Sequence, residues 1–246
     1  MELFMHGETW IALLTLTFLE VVLGIDNIIF ISIVSNKLPE KMQGKARVVG
    51  LSMAMVIRIL LLLSITWIIG FTKPLFTLLS FEVTGRDIIL LIGGLFLIAK
   101  STGEIHQKLE GESRDTGSQS ATSFKLVILQ IIMIDIIFSF DSILTAIGLT
   151  RHVIIMIIAV IISMIIMMTA AGKISAFINK HPTLEILALS FLILIGFMLA
   201  IEAFHYHVPK GYIYFAVAFS LLVEFLNMKL RAKPEPVKLR KRIESE

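Results

Sequence analysis

Residues 19–32 read LEVVLGIDNIIFIS and residues 130–148 read QIIMIDIIFSFDSILTAIG. Each stretch sets two carboxylates into a run otherwise made almost wholly of isoleucine, leucine, valine and phenylalanine. Glu20 and Asp26 lie in the first, Asp135 and Asp141 in the second. The apolar runs continue on both sides, far enough to cross a bilayer as helices of about 20 residues. The whole chain follows the same pattern: 57% of its 246 residues are hydrophobic and 17% charged. Soluble proteins stand nearer 45–50% apolar and ~25% charged, and a chain this long still has to cover itself with polar surface. The composition therefore excludes a soluble enzyme, a disordered protein and a nucleic-acid-binding module, and makes this an integral membrane protein whose first partner is the lipid bilayer.

Outward from those two stretches, the apolar runs predict an all-α polytopic membrane protein with seven transmembrane helices. They cover about 9–35, 46–70, 83–100, 124–149, 152–172, 183–204 and 211–229. Turn chemistry separates them: KLPEK, TKPLF, TRH, NKHP and HVPKG. Residues 1–229 form one transmembrane domain, 101–123 a polar cytoplasmic loop, and 230–246 a basic, disordered cytoplasmic tail suited to touching anionic lipid. With the N-terminus outside, 17 of the 22 Lys and Arg residues fall on the inner side, which predicts an N-out, C-in orientation. The N-terminal MELFMHGETW has no Lys or Arg, so it lacks the basic start of a cleaved signal peptide and the first run is expected to remain as a span. There is no cysteine, which removes disulfides, thiol nucleophiles and thiolate metal sites.

A carboxylate near the centre of a membrane helix costs about 2.5–3.5 kcal/mol on insertion scales, so four of them cost on the order of 10–14 kcal/mol before compensation. Packing does not ask for such groups; a cation does. Their spacing says more. Both stretches have an acid, five intervening residues, an aspartate, a small polar residue (Asn27 or Ser142) and isoleucine. The copies stand three spans apart, and three is odd, so the second enters from the opposite face. This predicts two inverted three-helix repeats plus a seventh helix, with an ion site near the midplane where the repeats meet. On an ideal helix Glu20 and Asn27 share a face, as do Asp135 and Ser142, while Asp26 and Asp141 lie about 120° away. Convergence of all four acids requires an unwound helix; otherwise the ligands form separate layers. Gly24 favours a break in the first helix, and Ser139 favours a bend in the fourth.

Carboxylate, amide and hydroxyl groups are hard donors, suited to Mg²⁺, Ca²⁺ or Mn²⁺. All six histidines lie at or beyond span ends, which argues against a high-affinity zinc or copper site. The candidate metal-binding residues are Glu20, Asp26, Asn27, Asp135 and Asp141. Met133 reads as an adaptable apolar filler. Arg58, within the second span, needs a partner, and these carboxylates are the nearest pool of charge. It stands as a fixed counter-ion, part of a proton relay, or a neutralised pair that only orients helices. Gln130 and Ser142 are candidates to support the ligands. Glu202, with His205 and His207, is either a capture site at the outer mouth or a solvated rim; Glu185 and Glu224 sit towards the inner ends.

The two acidic stretches resemble the signature helices of the TerC family of integral membrane proteins. Agreement extends through KARVVGLSMAMVIRILLL, GRDIILLIGGLFLIAKSTGEIH, HPTLEILALSFLILIGFMLAIE and HVPKGYIYFAVAFSLLVEFLN, covering about residues 10–229. The resemblance implies metal-ion efflux, chiefly of manganese, with associations to tellurite resistance and to metal supply for exported proteins. It implies that the motif residues Glu20, Asp26, Asn27, Asp135 and Asp141 bind the transported ion, in a protein of the bacterial cytoplasmic (inner) membrane. Some relatives carry regulatory domains after the last helix; ending in a short tail, this chain resembles a stand-alone membrane unit. The residues alone stop at a hard divalent cation, and the resemblance selects Mn²⁺. Two other classes compete: a membrane-protein assembly or insertion partner, and an exporter of an amino acid or other organic cation. No catalytic residue, cofactor or nucleic-acid partner is expected, because no nucleophile arrangement, phosphate loop or cofactor motif is present. Oligomeric state is not specified.

Overall fold

The computed structural model describes residues 7–78, 81–110, 123–150, 152–206 and 208–230. Seven long helices dominate, each apolar and long enough to cross a membrane. They are α1 (Gly7–Ser35), α2 (Glu40–Leu63), α4 (Gly85–Glu110), α5 (Phe124–Leu149), α6 (Val153–Lys180), α7 (Pro182–Glu202) and α8 (Lys210–Leu230). A six-residue helix, α3 (Ile65–Gly70), and an antiparallel hairpin of β1 (Pro74–Leu78) and β2 (Phe81–Thr84) stand between α2 and α4.

Boundaries differ from the sequence reading in several places: α2 starts at Glu40 rather than 46, and α6 runs on to Lys180, past the expected 172. The second span, expected over 46–70, breaks at Ser64, whose amide still bonds back to Leu60 and Leu61 while its own backbone leaves helical geometry. TKPLF, expected as a turn, is the start of the hairpin, where Pro74 pairs with Thr84 at an irregular end that does not need its missing N–H. The polar loop expected from residue 101 begins later. α4 runs on to Glu110 because its polar extension has partners: Glu104 is buried and held by Lys37 and by Lys100 at 2.8 Å, and Lys108 pairs with Glu185 of α7. Hydropathy marks where apolar side chains stop, not where backbone hydrogen bonding stops. The remainder of that loop, 111–122, and the tail, 231–246, lie outside the described residues.

Helix contacts place the elements of residues 7–209. α1 packs on α6, α2 on both α5 and α6, α5 also on α1, and α4 on α7. The registers can be read from close contacts. α1 and α6 run parallel: the Gly24 backbone faces Met167, and further along Asn36 bonds Asn179, at the same 143-residue offset. α2 and α5 are also parallel, with Gly50 against Ile131 and Arg58 against Ser139, both at an 81-residue offset. α5 turns directly into α6 and therefore runs antiparallel to α1. α4 and α7 cross backbone to backbone, since a Cβ on Gly94 would stand 2.4 Å from the Gly196 carbonyl oxygen. α7 opens with Pro182 at its first turn, where a missing N–H is harmless. Helix α8 forms a compact unit of its own, on which Phe215 and Phe219 stack with centroids 6.2 Å apart.

Candidate functional site: a buried arginine between two carboxylates

The centre of α1 carries Glu20, and the centre of α5 carries Asp135. Both are buried, at 5% and 4% exposure. Between them lies Arg58 of α2, only 2% exposed. One terminal nitrogen of its guanidinium (Nη1) donates to Glu20 Oε2, and the other (Nη2) donates to Asp135 Oδ1 at 2.7 Å. Nε donates to the Ser139 hydroxyl at 2.8 Å, and that hydroxyl donates onward to Asp135 Oδ2 at 3.0 Å. Three of the four carboxylate oxygens thus have partners. The planar fork of arginine suits such a job, and lysine, a single point charge, does not.

The local chain explains the arrangement. Asp135 and Ser139 are one helical turn apart and share a face. Ser139 was expected to bend α5 by bonding its backbone; instead its hydroxyl bridges Arg58 and Asp135. Gly24, expected to unwind α1, sits within an unbroken helix and has a different use: a Cβ there would stand 2.1 Å from Met167 Sδ, so the glycine lets α6 approach. Both signature helices are continuous.

Continuity decides the layering. Glu20 and Asp135 meet on one guanidinium, and α1 and α5 run in opposite directions. Six residues further along each helix is about 9 Å of rise, so positions 26 and 141 fall on opposite sides of the Arg58 layer, about 18 Å apart along the axes. Glu20 and Asp135 meet at Arg58, and the backbone positions 26 and 141 flank that layer. The side chains of Asp26 and Asp141 lie outside what the structure describes. Among the described residues, no group of three or more His, Asp or Glu is placed to hold a metal ion.

Of the remaining candidates, Asn27 is buried with its Oδ1 unpartnered, and Gln130 has a buried, unpartnered Oε1. Ser142 is buried and donates to the Ser139 carbonyl at 3.3 Å, one turn from the charged layer. Glu202 is not brought to Arg58. It lies in the last turn of α7 and accepts from Arg86 of α4 at 2.6 Å, while His205 stands 3.1 Å from Asp87. Thr84 also holds Asp87, through its amide at 2.9 Å and its hydroxyl at 2.7 Å. These pairs tie the start of α4 to the end of α7; His207 lies outside the described residues. Met133, expected to fill the core, is instead 43% exposed on the surface of α5. The sequence reading missed Asp87 and Glu104, both buried acids with partners distant in sequence. For Asp87 the local signal was Thr84 three residues earlier, the spacing of a side-chain cap; for Glu104 it was Lys100 one turn before.

A small cavity of about 10 Å³ adjoins Glu20, lined by Leu16, Leu62, Ile143, Ala146, Met156 and Val160 among others. It has room for about one water.

The sequence matches the family described as Integral membrane protein TerC family over residues 5–235. This chain belongs to that family. It is 51% identical over 225 residues to a UPF0053 protein of Haemophilus influenzae, covering 91% of this chain and 95% of the relative. It is 54% identical over 230 residues to the UPF0053 inner membrane protein YgdQ of Escherichia coli K12, covering 94% and 96%. A third relative, the UPF0053 inner membrane protein YoaE of the same strain, is 46% identical over 232 residues; there the match covers 94% of this chain but only 45% of the longer relative. No solved structure matches the chain. The TerC membership and the seven apolar helices make it an integral membrane protein.

Proposed function

We propose that this TerC-family chain is a secondary transporter that exports a hard divalent cation, Mn²⁺ first, across the bacterial inner membrane, with its N-terminus outside and its C-terminus in the cytoplasm. One observation carries the reading: two buried carboxylates on different helices, Glu20 and Asp135, converge near the helix centres around a single arginine. Two acids against one guanidinium leave an excess negative charge where the bilayer offers no solvation, and cation transport is the use that such a group serves.

The registers support two inverted repeats. Aligning Glu20 with Asp135 puts Gly24 on Ser139, and their partners across the interface are Met167 and Arg58. The same alignment puts Leu16 on Ile131. Leu16 lines the cavity together with Ala159, and Ile131 packs on Gly50; Ala159 and Gly50 each stand eight residues before Met167 and Arg58. Swapping α1 with α5 and α2 with α6 thus carries the Gly24–Met167 approach onto Ser139–Arg58, the relation expected of inverted halves. The ion meets Glu20 and Asp135 in the central layer, with Asp26, Asn27 and Gln130 on the cytoplasmic approach and Asp141 and Ser142 on the outward side. One proton taken up by the carboxylate group as the ion leaves provides the coupling. The names of the relatives say at most that two of them are inner membrane proteins, so manganese rests on the family resemblance and on the hardness of the donors.

The test is Mn²⁺ accumulation in inverted vesicles or proteoliposomes by the intact chain, Asp26→Asn and Asp141→Asn. Accumulation abolished in both folded variants supports the exporter. An intact protein that moves no divalent cation under any imposed gradient defeats it, and turns attention to a role in membrane-protein assembly.

A further inference from the structure

The Arg58 layer carries more than the presence of a cation site, and the role inferred for its arginine rests on the transporter reading. The guanidinium takes Glu20 Oε2 and Asp135 Oδ1 directly and reaches Asp135 Oδ2 through Ser139. A metal ion bound by these carboxylates needs the same lone pairs. The cavity beside Glu20 has room for about one water. A divalent ion beside the guanidinium would also set three positive charges against the two negative charges of Glu20 and Asp135, so ion and guanidinium compete for the layer.

The arginine is also not a requirement of the architecture. Its counterpart in the other half is Met167, 1% exposed and packed on Gly24, the counterpart of Ser139. One half of the molecule fills this position with an apolar side chain and the other with a charge. A buried ion-pair triad is often no more stabilising than well-packed apolar residues of similar volume, so packing alone does not account for it. What Arg58 changes is the charge of the ion-free layer. With it, two carboxylates are offset by one cation. Without it, any carboxylate of the ion-free layer that has not taken up a proton stands bare at the membrane centre, which disfavours movement in that state.

We propose that Arg58 is a tethered counter-cation that takes the place of the transported ion on Glu20 and Asp135, so that the carrier can return empty. The ion-loaded carrier moves without it; the empty carrier moves only with it. Net export then depends on Arg58, whereas one-for-one exchange of bound ions does not. Removing the competitor also tightens apparent ion binding, by the factor with which Arg58 held the site closed.

The experiment compares two modes of flux in proteoliposomes of the full chain: net Mn²⁺ flux down an imposed gradient, and exchange of radiolabelled for unlabelled Mn²⁺ with no gradient. The variants are Arg58→Met, which places in α2 the side chain that α6 already carries, and Arg58→Lys, which keeps a positive charge. Arg58→Met is expected to lose net flux by at least about tenfold while exchange persists and half-saturates at a concentration lower by about tenfold. Arg58→Lys is expected to recover part of the net flux. Net flux by folded Arg58→Met at the intact rate overturns the proposal, as does loss of both modes in a variant that keeps its melting temperature. If Arg58→Met does not fold, Arg58→Gln, a smaller polar side chain able to bond one carboxylate, is read by the same criteria. An intact protein that catalyses neither mode defeats the transporter reading itself, whereas an intact protein active in both beside an Arg58→Met variant active in both defeats only this inference.

Discussion

The α4–α7 pair and the layer between α1, α2 and α5 solve opposite problems. α4 and α7 cross where Gly94 meets Gly196, so close that a Cβ on Gly94 would stand 2.4 Å from one backbone oxygen and 2.9 Å from the Ala200 nitrogen. Their ends are held by Arg86–Glu202 at one side and Lys108–Glu185 at the other. The contact is dense in the middle, and the charges sit at the ends, where water and headgroups reach. Such close packing of small residues is how membrane helices associate when lipid is as apolar as leucine. The Arg58 layer inverts that order, with charge at the centre. The difference separates a contact closed by backbone packing from a layer held by buried charge.

Substitutions on both sides of that contrast probe it through thermal or denaturant unfolding in detergent. Arg58→Ala leaves Glu20 and Asp135 buried without a cation and is expected to cost about 3–5 kcal/mol, the largest effect, because a broken buried pair loses more than the pair ever contributed. Glu20→Gln, Arg58→Met and Asp135→Asn made together are expected to return most of that loss; a triple variant as unstable as Arg58→Ala would mean that the layer holds the fold together. Gly94→Ala should cost about 1–3 kcal/mol, because the added methyl meets backbone that cannot step aside. Gly24→Ala should cost less, about 1 kcal/mol, although its neighbour stands closer, since the atom it meets is the end of a flexible methionine. Equal costs for the two glycines would show that the α4–α7 contact is no stiffer than α1–α6. Arg86→Ala, at the partly exposed end of the crossing, should cost less than about 1 kcal/mol.

Much of this was legible beforehand. Six of the seven long helices begin within about two residues of their expected starts, because a run of apolar side chains about 20 residues long has few other uses; α2 begins six residues early, at Glu40, in a polar stretch that hydropathy does not mark. The mid-helix acids Glu20 and Asp135 stood out because their burial cost is visible in one dimension. Asp87 and Glu104 did not, since each lies near a helix end where an acid looks solvated until Thr84, His205, Lys37 and Lys100 are brought round it. Glu202, beside two histidines, reads equally as a capture site or a rim in one dimension, and nothing in the sequence pointed to its partner Arg86, 116 residues away.

The sequence by itself determined the class, the number of long apolar helices, the oddness of the acids and the family, because all of these follow from local composition and spacing. It left open whether four acids converge or separate, and what Arg58 touches. Those questions were decided by register: α1 and α5 stay helical and run oppositely, and α2 lies parallel to α5 with Arg58 opposite Ser139. Which residues meet across two helices depends on how glycines, methionines and isoleucines let the backbones approach. That is a property of pairs of surfaces, and no single stretch of chain contains it.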